Sequence, residues 1–172
     1  MFTPSRIDIP TVQYNDRPYA GALFAIHSLS SYDYIKKIKV SSELYLGVIG
    51  PLSLAEETQI WVHRIFNYTK PEGWKNQVPN DIIINYNLQV EKEMIYVPGK
   101  LFVTGTMETF TGTLYNAMGA GFIVRLGRVS NFPEQKSESI PVKKKSQLYV
   151  ILKPTVRVIY YNALLQGGII TN

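Results

Sequence analysis

Hydrophobic alternation with a period of two runs through most of this chain, in segments far longer than ordinary strands. Between Asp81 and Tyr96 one face carries Ile82, Ile84, Tyr86, Leu88, Val90, Met94 and Tyr96, broken only by Lys92. The other carries Asp81, Asn85, Asn87, Gln89, Glu91 and Glu93 around Ile83 and Ile95. Successive side chains of a strand point to opposite faces, so this pattern predicts a strand with one apolar and one polar face. Tyr34–Val48 repeats it, with Ile38, Val40, Leu44, Leu46 and Val48 opposite Lys37, Lys39, Ser41 and Glu43. Gln147–Tyr161 repeats it again, with Leu148, Val150, Leu152, Val156 and Val158 opposite Lys153, Thr155 and Arg157. Tyr19–Ser28, Leu101–Phe110 and Leu114–Leu126 alternate more weakly. Turn signals separate them at Pro98-Gly99, Thr111-Gly112 and the polar run 130–139. A typical soluble strand has about 5 to 6 residues, whereas a membrane-spanning strand needs about 9 to 11.

This reading expects an all-β protein: an antiparallel outer-membrane-type barrel, partial, forming a single domain over 1–172. Tyr32, Tyr34, Tyr96, Phe110, Tyr115, Tyr160 and Tyr161 fall near strand ends, as the aromatic girdles of such barrels do. Ala117, Gly119 and Gly121 share one face, which suits a crowded barrel interior. Alternation alone leaves open a soluble sandwich or a soluble barrel binding an apolar ligand. No stretch reaches the 18 or so apolar residues of a transmembrane helix.

Composition narrows the chemistry. The chain has no Cys, which removes disulfides, thiol nucleophiles and thiolate metal sites. A net charge of +5, spread along the chain apart from Lys143-Lys144-Lys145, does not describe a nucleic-acid groove. There is no Gly-rich phosphate loop, nucleophile elbow or His-Glu-x-x-His. Met1-Phe2-Thr3-Pro4-Ser5-Arg6 shows no apolar leader, and Leu164–Asn172 reads as an interrupted strand-turn-strand, so a piece truncated at both ends is expected.

One segment changes period. Ser53 followed by Glu56 reads as a capping box, and Leu54, Trp61, Val62, Ile65 and Phe66 recur at helical spacing. An amphipathic helix is therefore predicted at about 53–67, introduced by Gly50-Pro51 and packing through Trp61, Val62, Ile65 and Phe66. On it, Gln59, His63 and Asn67 are spaced one turn apart and form a polar stripe. A neutral imidazole whose second nitrogen is held by a neighbour can serve as a base. The same stripe could equally be a solvated face. The loop from Lys70 to Asn80, with Trp74 and Gln77, could be a surface turn or could fold over His63. Tyr14–Gly21 is a second polar cluster in which Asp16 and Arg17 could form a plain ion pair. The other histidine, His27, reads as a rim residue.

Taken in order, Phe2-Thr3-Pro4, Asp16–Gly21, Leu46–Pro51, Glu57–His63 and Gly73–Gln77 resemble the lipid A 3'-O-deacylase family of bacterial outer-membrane proteins. The likeness covers about 2–128 and returns at Tyr160–Gly167. It implies a twelve-stranded barrel and calcium-dependent hydrolysis of the ester holding the 3'-acyloxyacyl group of lipid A. Lipopolysaccharide and the surrounding outer-membrane lipids would be the partners. It makes His63 the catalytic base, and Gln59, Asn67, Gln77 and Asp16 are read as supporting residues. The metal ligands in this chain are unknown. In the family an Asn-Asp pair on the first strand and a Thr or Ser on the second, both before the Thr-Pro motif, serve the calcium, and its Glu six residues after the His is Thr69 here, with Glu72 out of register. The chain alone is therefore expected to be inactive, and a non-catalytic barrel of the same fold is the alternative.

Overall fold

The computed structural model describes residues 1–128 and 148–170. Its strands are β1 (Ala22–Asp33), β2 (Ile38–Ile49), β3 (Asp81–Val97), β4 (Leu101–Gly112), β5 (Tyr115–Arg128), β6 (Leu148–Leu152) and β7 (Thr155–Asn162). All pair antiparallel in one sheet, in chain order from β1 to β6, with β7 also on β5. The expected long antiparallel strands are therefore present. The run 130–139, Lys143–Lys145 and Gln147 lie outside the described residues.

Boundaries differ from the sequence reading in instructive ways. Residues 34–37 form a turn, because the Asp33 carboxylate accepts the backbone N–H groups of Ile35 and Lys36 at 2.9 Å each and Lys37 turns left-handed at φ 53°. The expected strand over 147–161 is divided at Lys153-Pro154, yet β6 and β7 share one register on β5: Val124 faces Leu152 and Gly121 faces Thr155. Pro154 has no N–H to give, but its carbonyl still accepts from Phe122 N at 3.0 Å. The ladder thus loses one donor and keeps its register.

The register sorts side chains onto two faces. One carries Leu23, Val48 and Ile82, then Leu44 and Tyr86, then Val40, Val90 and Met107, and finally Leu126 and Val150. Ile82, Ile84 and Tyr86 are exposed there, while Asn85, Asn87 and Gln89 lie on the other face, as expected. A soluble barrel would have put the apolar set inside. A register shift between Glu93 and Ile95 changes the phase, so Tyr96 leaves the apolar face and meets the buried Phe102 edge-on.

The polar face holds its charges in cross-strand pairs. Lys37 Nζ reaches Glu93 at 2.5 Å, Lys39 reaches Glu91 at 3.5 Å, and Arg157 pairs with Glu108. Glu108 stands opposite Gly119, where a Cβ would lie 3.1 Å from its carboxylate oxygen. The small residues expected inside are where space for Glu108 and Arg157 is needed. At the end of this face Ala20, Ile49, Val78, Ile83 and Ala163 form a buried cluster, and α2 (Ala163–Gln166) follows β7 there.

The link 50–80 leaves this same end, whereas 34–37 and 98–100 are tight turns at the other. It contains α1 (Ala55–Ile65). The capping box does not form. Ser53 belongs to a 3-10 turn over Pro51–Ser53 and donates its hydroxyl to Gly50 O at 2.6 Å, and Leu54, left-handed at φ 57°, stands at the N-cap without a side-chain bond. The packing face is also corrected. Trp61, Ile65 and Phe66 are 61%, 55% and 61% exposed, while Ala55 and Gln59 are buried.

The position of α1 follows from Gly21. Gly50 N donates to Gly21 O at 3.0 Å, extending the β1–β2 register, so Gly21 points to the same face as Leu23. A Cβ on it would come within 2.2 Å of Ser53 Oγ and 2.3 Å of the Ala55 Cβ. The helix therefore rests on the apolar side of the sheet's end. Gly21→Leu should push α1 away from the wall, at about 1–3 kcal/mol for overpacking. Faster tryptic cleavage after Arg64, with cleavage in the barrel unchanged, is the expected readout.

Candidate functional site

The site is built on three buried residues, Tyr19, Ala55 and Trp74. Tyr19, two residues before Gly21, points to the apolar side and meets Trp74 at a centroid distance of 4.9 Å. Its hydroxyl donates to Ile7 O at 3.1 Å, and burial pushes its pKa up. Trp74 opens a short 3-10 turn, Trp74–Asn76, and is 1% exposed.

A buried indole N–H needs an acceptor. Trp74 Nε1 donates to Gln59 Oε1 at 2.7 Å. This fixes the orientation of the Gln59 amide, which is 6% exposed, and turns its Nε2 towards His63. The Gln59 Nε2 to His63 Nε2 distance is 3.5 Å. The other ring nitrogen, Nδ1, lies 2.6 Å from the Thr69 carbonyl oxygen. A carbonyl only accepts, so the proton of the neutral ring is assigned to Nδ1 and the lone pair to Nε2. Tyr68 stands edge-on to the imidazole at 5.7 Å and stacks on Phe66. The result is a chain of contacts, Trp74 to Gln59 to His63 to the Thr69 carbonyl, that holds the imidazole in one tautomer. Such a ring can take a proton at Nε2 while the carbonyl steadies the resulting cation.

Asn67 does not join this chain. The helix ends at Ile65, and Asn67 takes the left-handed conformation at φ 53°, with Tyr68 N bonding back to His63 O at 2.8 Å. It serves as the helix C-terminal stop, which Asn tolerates well. Gln77 belongs to the Trp74 loop through its N–H to Trp74 O at 3.0 Å, and its Oε1 is buried without a protein partner. Asp16 lies beyond Tyr19. It helps line a cavity of about 240 Å³ with Tyr14, Arg17, Asn76 and Leu165 rather than touching His63. His27 pairs with Leu44 on the apolar face. The spacing of Gln59 and His63 was readable in the sequence, and Trp74 was visible as a candidate cover. Nothing in the sequence singled out the Thr69 carbonyl, because any residue supplies one.

Asp16 has a role of its own. Its carboxylate accepts Ser5 N at 2.6 Å and Arg17 N at 2.7 Å, and the Ser5 bond is the main cause of its lowered pKa. A carboxylate with a depressed folded-state pKa adds stability above its ordinary value of 3.8, lost as pH falls through the folded value. Protection of the Ser5 amide, taken relative to its intrinsic exchange rate at each pH, should therefore persist at neutral pH and be lost only below the ordinary carboxylate range. Asp16→Asn should flatten that dependence.

The described residues contain no group of three or more His, Asp or Glu side chains arranged to hold a metal. Near His63 the acidic residues of α1, Glu56 and Glu57, lie in its first turn, remote from the His63 end. The donors described do not fit a calcium site by themselves.

A family model described as outer membrane protein LpxR matches residues 1–172. Among solved structures, LpxR from Salmonella typhimurium matches with a TM-score of 0.73 at 20% identity, covering 99% of this chain. The chain spans 62% of the length of that structure, and at this identity the likeness speaks for fold. No curated protein matches. The open sheet is thus a half-barrel of an outer-membrane barrel fold, its apolar face turned to lipid and its polar face to the lumen.

Proposed function

Since the chain belongs to the family of the outer membrane protein LpxR and resides in the outer membrane, we propose that it forms the site-bearing part of an esterase that removes the 3'-acyloxyacyl group from lipid A. The observation that carries this reading is the position of His63 on the lipid-facing side of the wall, in a fixed tautomer, beside a buried amide. A lipid ester approaching from the leaflet meets that side and never has to enter the lumen.

In this reaction His63 Nε2 takes a proton from water as the water oxygen bonds to the ester carbonyl carbon. The Thr69 carbonyl, accepting from Nδ1, stabilises the imidazolium. Collapse breaks the bond to the sugar oxygen, which leaves with the proton returned from Nε2, and the acyloxyacyl acid is released. The Gln59 amide, oriented by Trp74, turns its N–H towards the Nε2 lone pair at 3.5 Å, and the reacting water takes over that long contact when His63 acts as base. Bound calcium would supply charge stabilisation for the oxyanion. We assign its ligands to the part of the matched barrel that this chain does not span.

The test is mass spectrometry of lipid A from cells expressing the complete protein. Loss of the mass of one acyloxyacyl group supports the reading. Unchanged lipid A in the presence of calcium favours a non-catalytic barrel.

A further inference from the structure

The outward side of α1 is not accounted for by anything the His63 site does. In a helix, successive residues are separated by about 100°, so Leu54, Thr58, Trp61 and Ile65 form one stripe. Ala55, Gln59, Val62 and His63 lie about 115° further round the helix and face the protein. Leu54, Trp61 and Ile65 are all exposed, and Phe66 and the stacked Tyr68 extend the patch beyond the helix end. A helix exposing its apolar stripe while burying a glutamine and half-burying a histidine is inverted relative to a water-soluble surface helix.

Two observations identify what covers this stripe. First, α1 rests on the lipid-facing side of the wall, held over Gly21. Second, the patch is continuous with the belt that faces lipid. Val48 and Ile82 pair on that face, Leu52 and Leu54 follow β2 directly, and Leu52 N is tied to the Asn80 side chain at 2.8 Å beside the start of β3. Trp and Tyr favour the boundary between headgroups and acyl chains, where an apolar ring body and a polar edge are both satisfied.

The long 50–80 link marks this as the end with extracellular loops, the tight turns 34–37 and 98–100 being at the other. We propose that α1 is an interfacial membrane helix whose Leu54–Trp61–Ile65 stripe lies among outer-leaflet acyl chains just below the headgroups. An interfacial helix buries its apolar side about 5–10 Å into this boundary. Arg64, exposed on α1 between Trp61 and Ile65, stands at headgroup level, where anionic phosphates are found. This assignment holds whether or not His63 is a base.

Tryptophan fluorescence isolates the stripe. The protein is reconstituted in phosphatidylcholine vesicles, and the emission of its Trp61→Phe variant is subtracted, leaving Trp61 alone. The buried Trp74 cancels in that difference. Barrel folding of the variant is checked by migration on unboiled gels, and Trp61→Tyr serves if the Phe variant fails. Lipid brominated near the headgroup should quench Trp61 about twofold, lipid brominated at the chain end far less, and aqueous iodide scarcely. Equal iodide quenching in vesicles and in a denatured control would put the stripe in water and overturn the proposal. Protection from both iodide and brominated lipid would show that protein covers it, which overturns it equally. Loss of lipid A hydrolysis in His63→Ala with lipid quenching of Trp61 retained would separate the two readings.

Discussion

Replacing His63 by alanine in the complete barrel is expected to abolish release of the acyloxyacyl group while leaving the barrel folded. General-base catalysis contributes about 10² to 10⁴ in rate, so the loss should fall in that range or exceed the detection limit. The structural cost is small by comparison. The imidazole is half-buried and makes one good bond, to the Thr69 carbonyl, whose removal costs roughly 1 kcal/mol. Lipid A mass spectrometry reads the activity, and heat-modified gel migration reads the fold. An active His63→Ala protein would remove the base and with it the proposed mechanism. Gln59→Ala should cost less rate and should displace the pH–rate profile, because it disturbs the setting of Nε2 without removing the base.

Trp74→Ala should be the most damaging change outside His63. Truncating a fully buried aromatic costs about 3–5 kcal/mol through lost contacts and the cavity left behind. Gln59 Oε1 would then be left buried without its donor, which adds about 1–3 kcal/mol. The damage should be local. Hydrogen exchange in 50–80 should rise sharply, while β2 and β3, whose register does not pass through Trp74, should keep their protection. Trp74→Phe divides the effect. It keeps an aromatic ring against Tyr19 but loses the N–H to Gln59, so the loop should stay ordered while the rate falls. Equal protection in the Ala variant and the wild type would show that the loop is held by other contacts.

The strands were legible in the sequence because alternation reports which face a side chain takes, and Ile82, Ile84 and Tyr86 are exposed on the face read as apolar. What the pattern could not show was where local side-chain bonds interrupt it. Asp33 ends β1 by capping a turn, and Tyr34 merely continues the alternation by chance. The helix was legible as an element and misread in orientation. Trp61, Ile65 and Phe66 were expected to pack inward because burial in protein is the usual fate of an apolar stripe. Beside a lipid-facing wall that rule reverses. Gln59 could be recognised as a neighbour of His63 by spacing, but its burial depends on Trp74, which lies beyond the helix and joins it only through the fold of the loop. Ser53 and Glu56 matched a capping box because Gly50-Pro51 sets up a tight turn with the same residue types.

The pairing of Ile49 with Asp81 has a consequence for how such a protein can change. The chain leaves β2 and re-enters β3 at directly opposed positions, so everything between them is a detachable module inserted at a closed junction. Gln59, His63, Thr69 and Trp74 all belong to that module. Outside it, Tyr19 and the bare Gly21 surface seat it, and the carbonyls of Ile7, Pro10 and Tyr19 tie down Glu72, Asn76 and Val78. A lineage, or an engineer, could exchange one 50–80 segment for another without moving a single rung of the ladder. Chemistry and architecture in this chain can therefore evolve at different speeds.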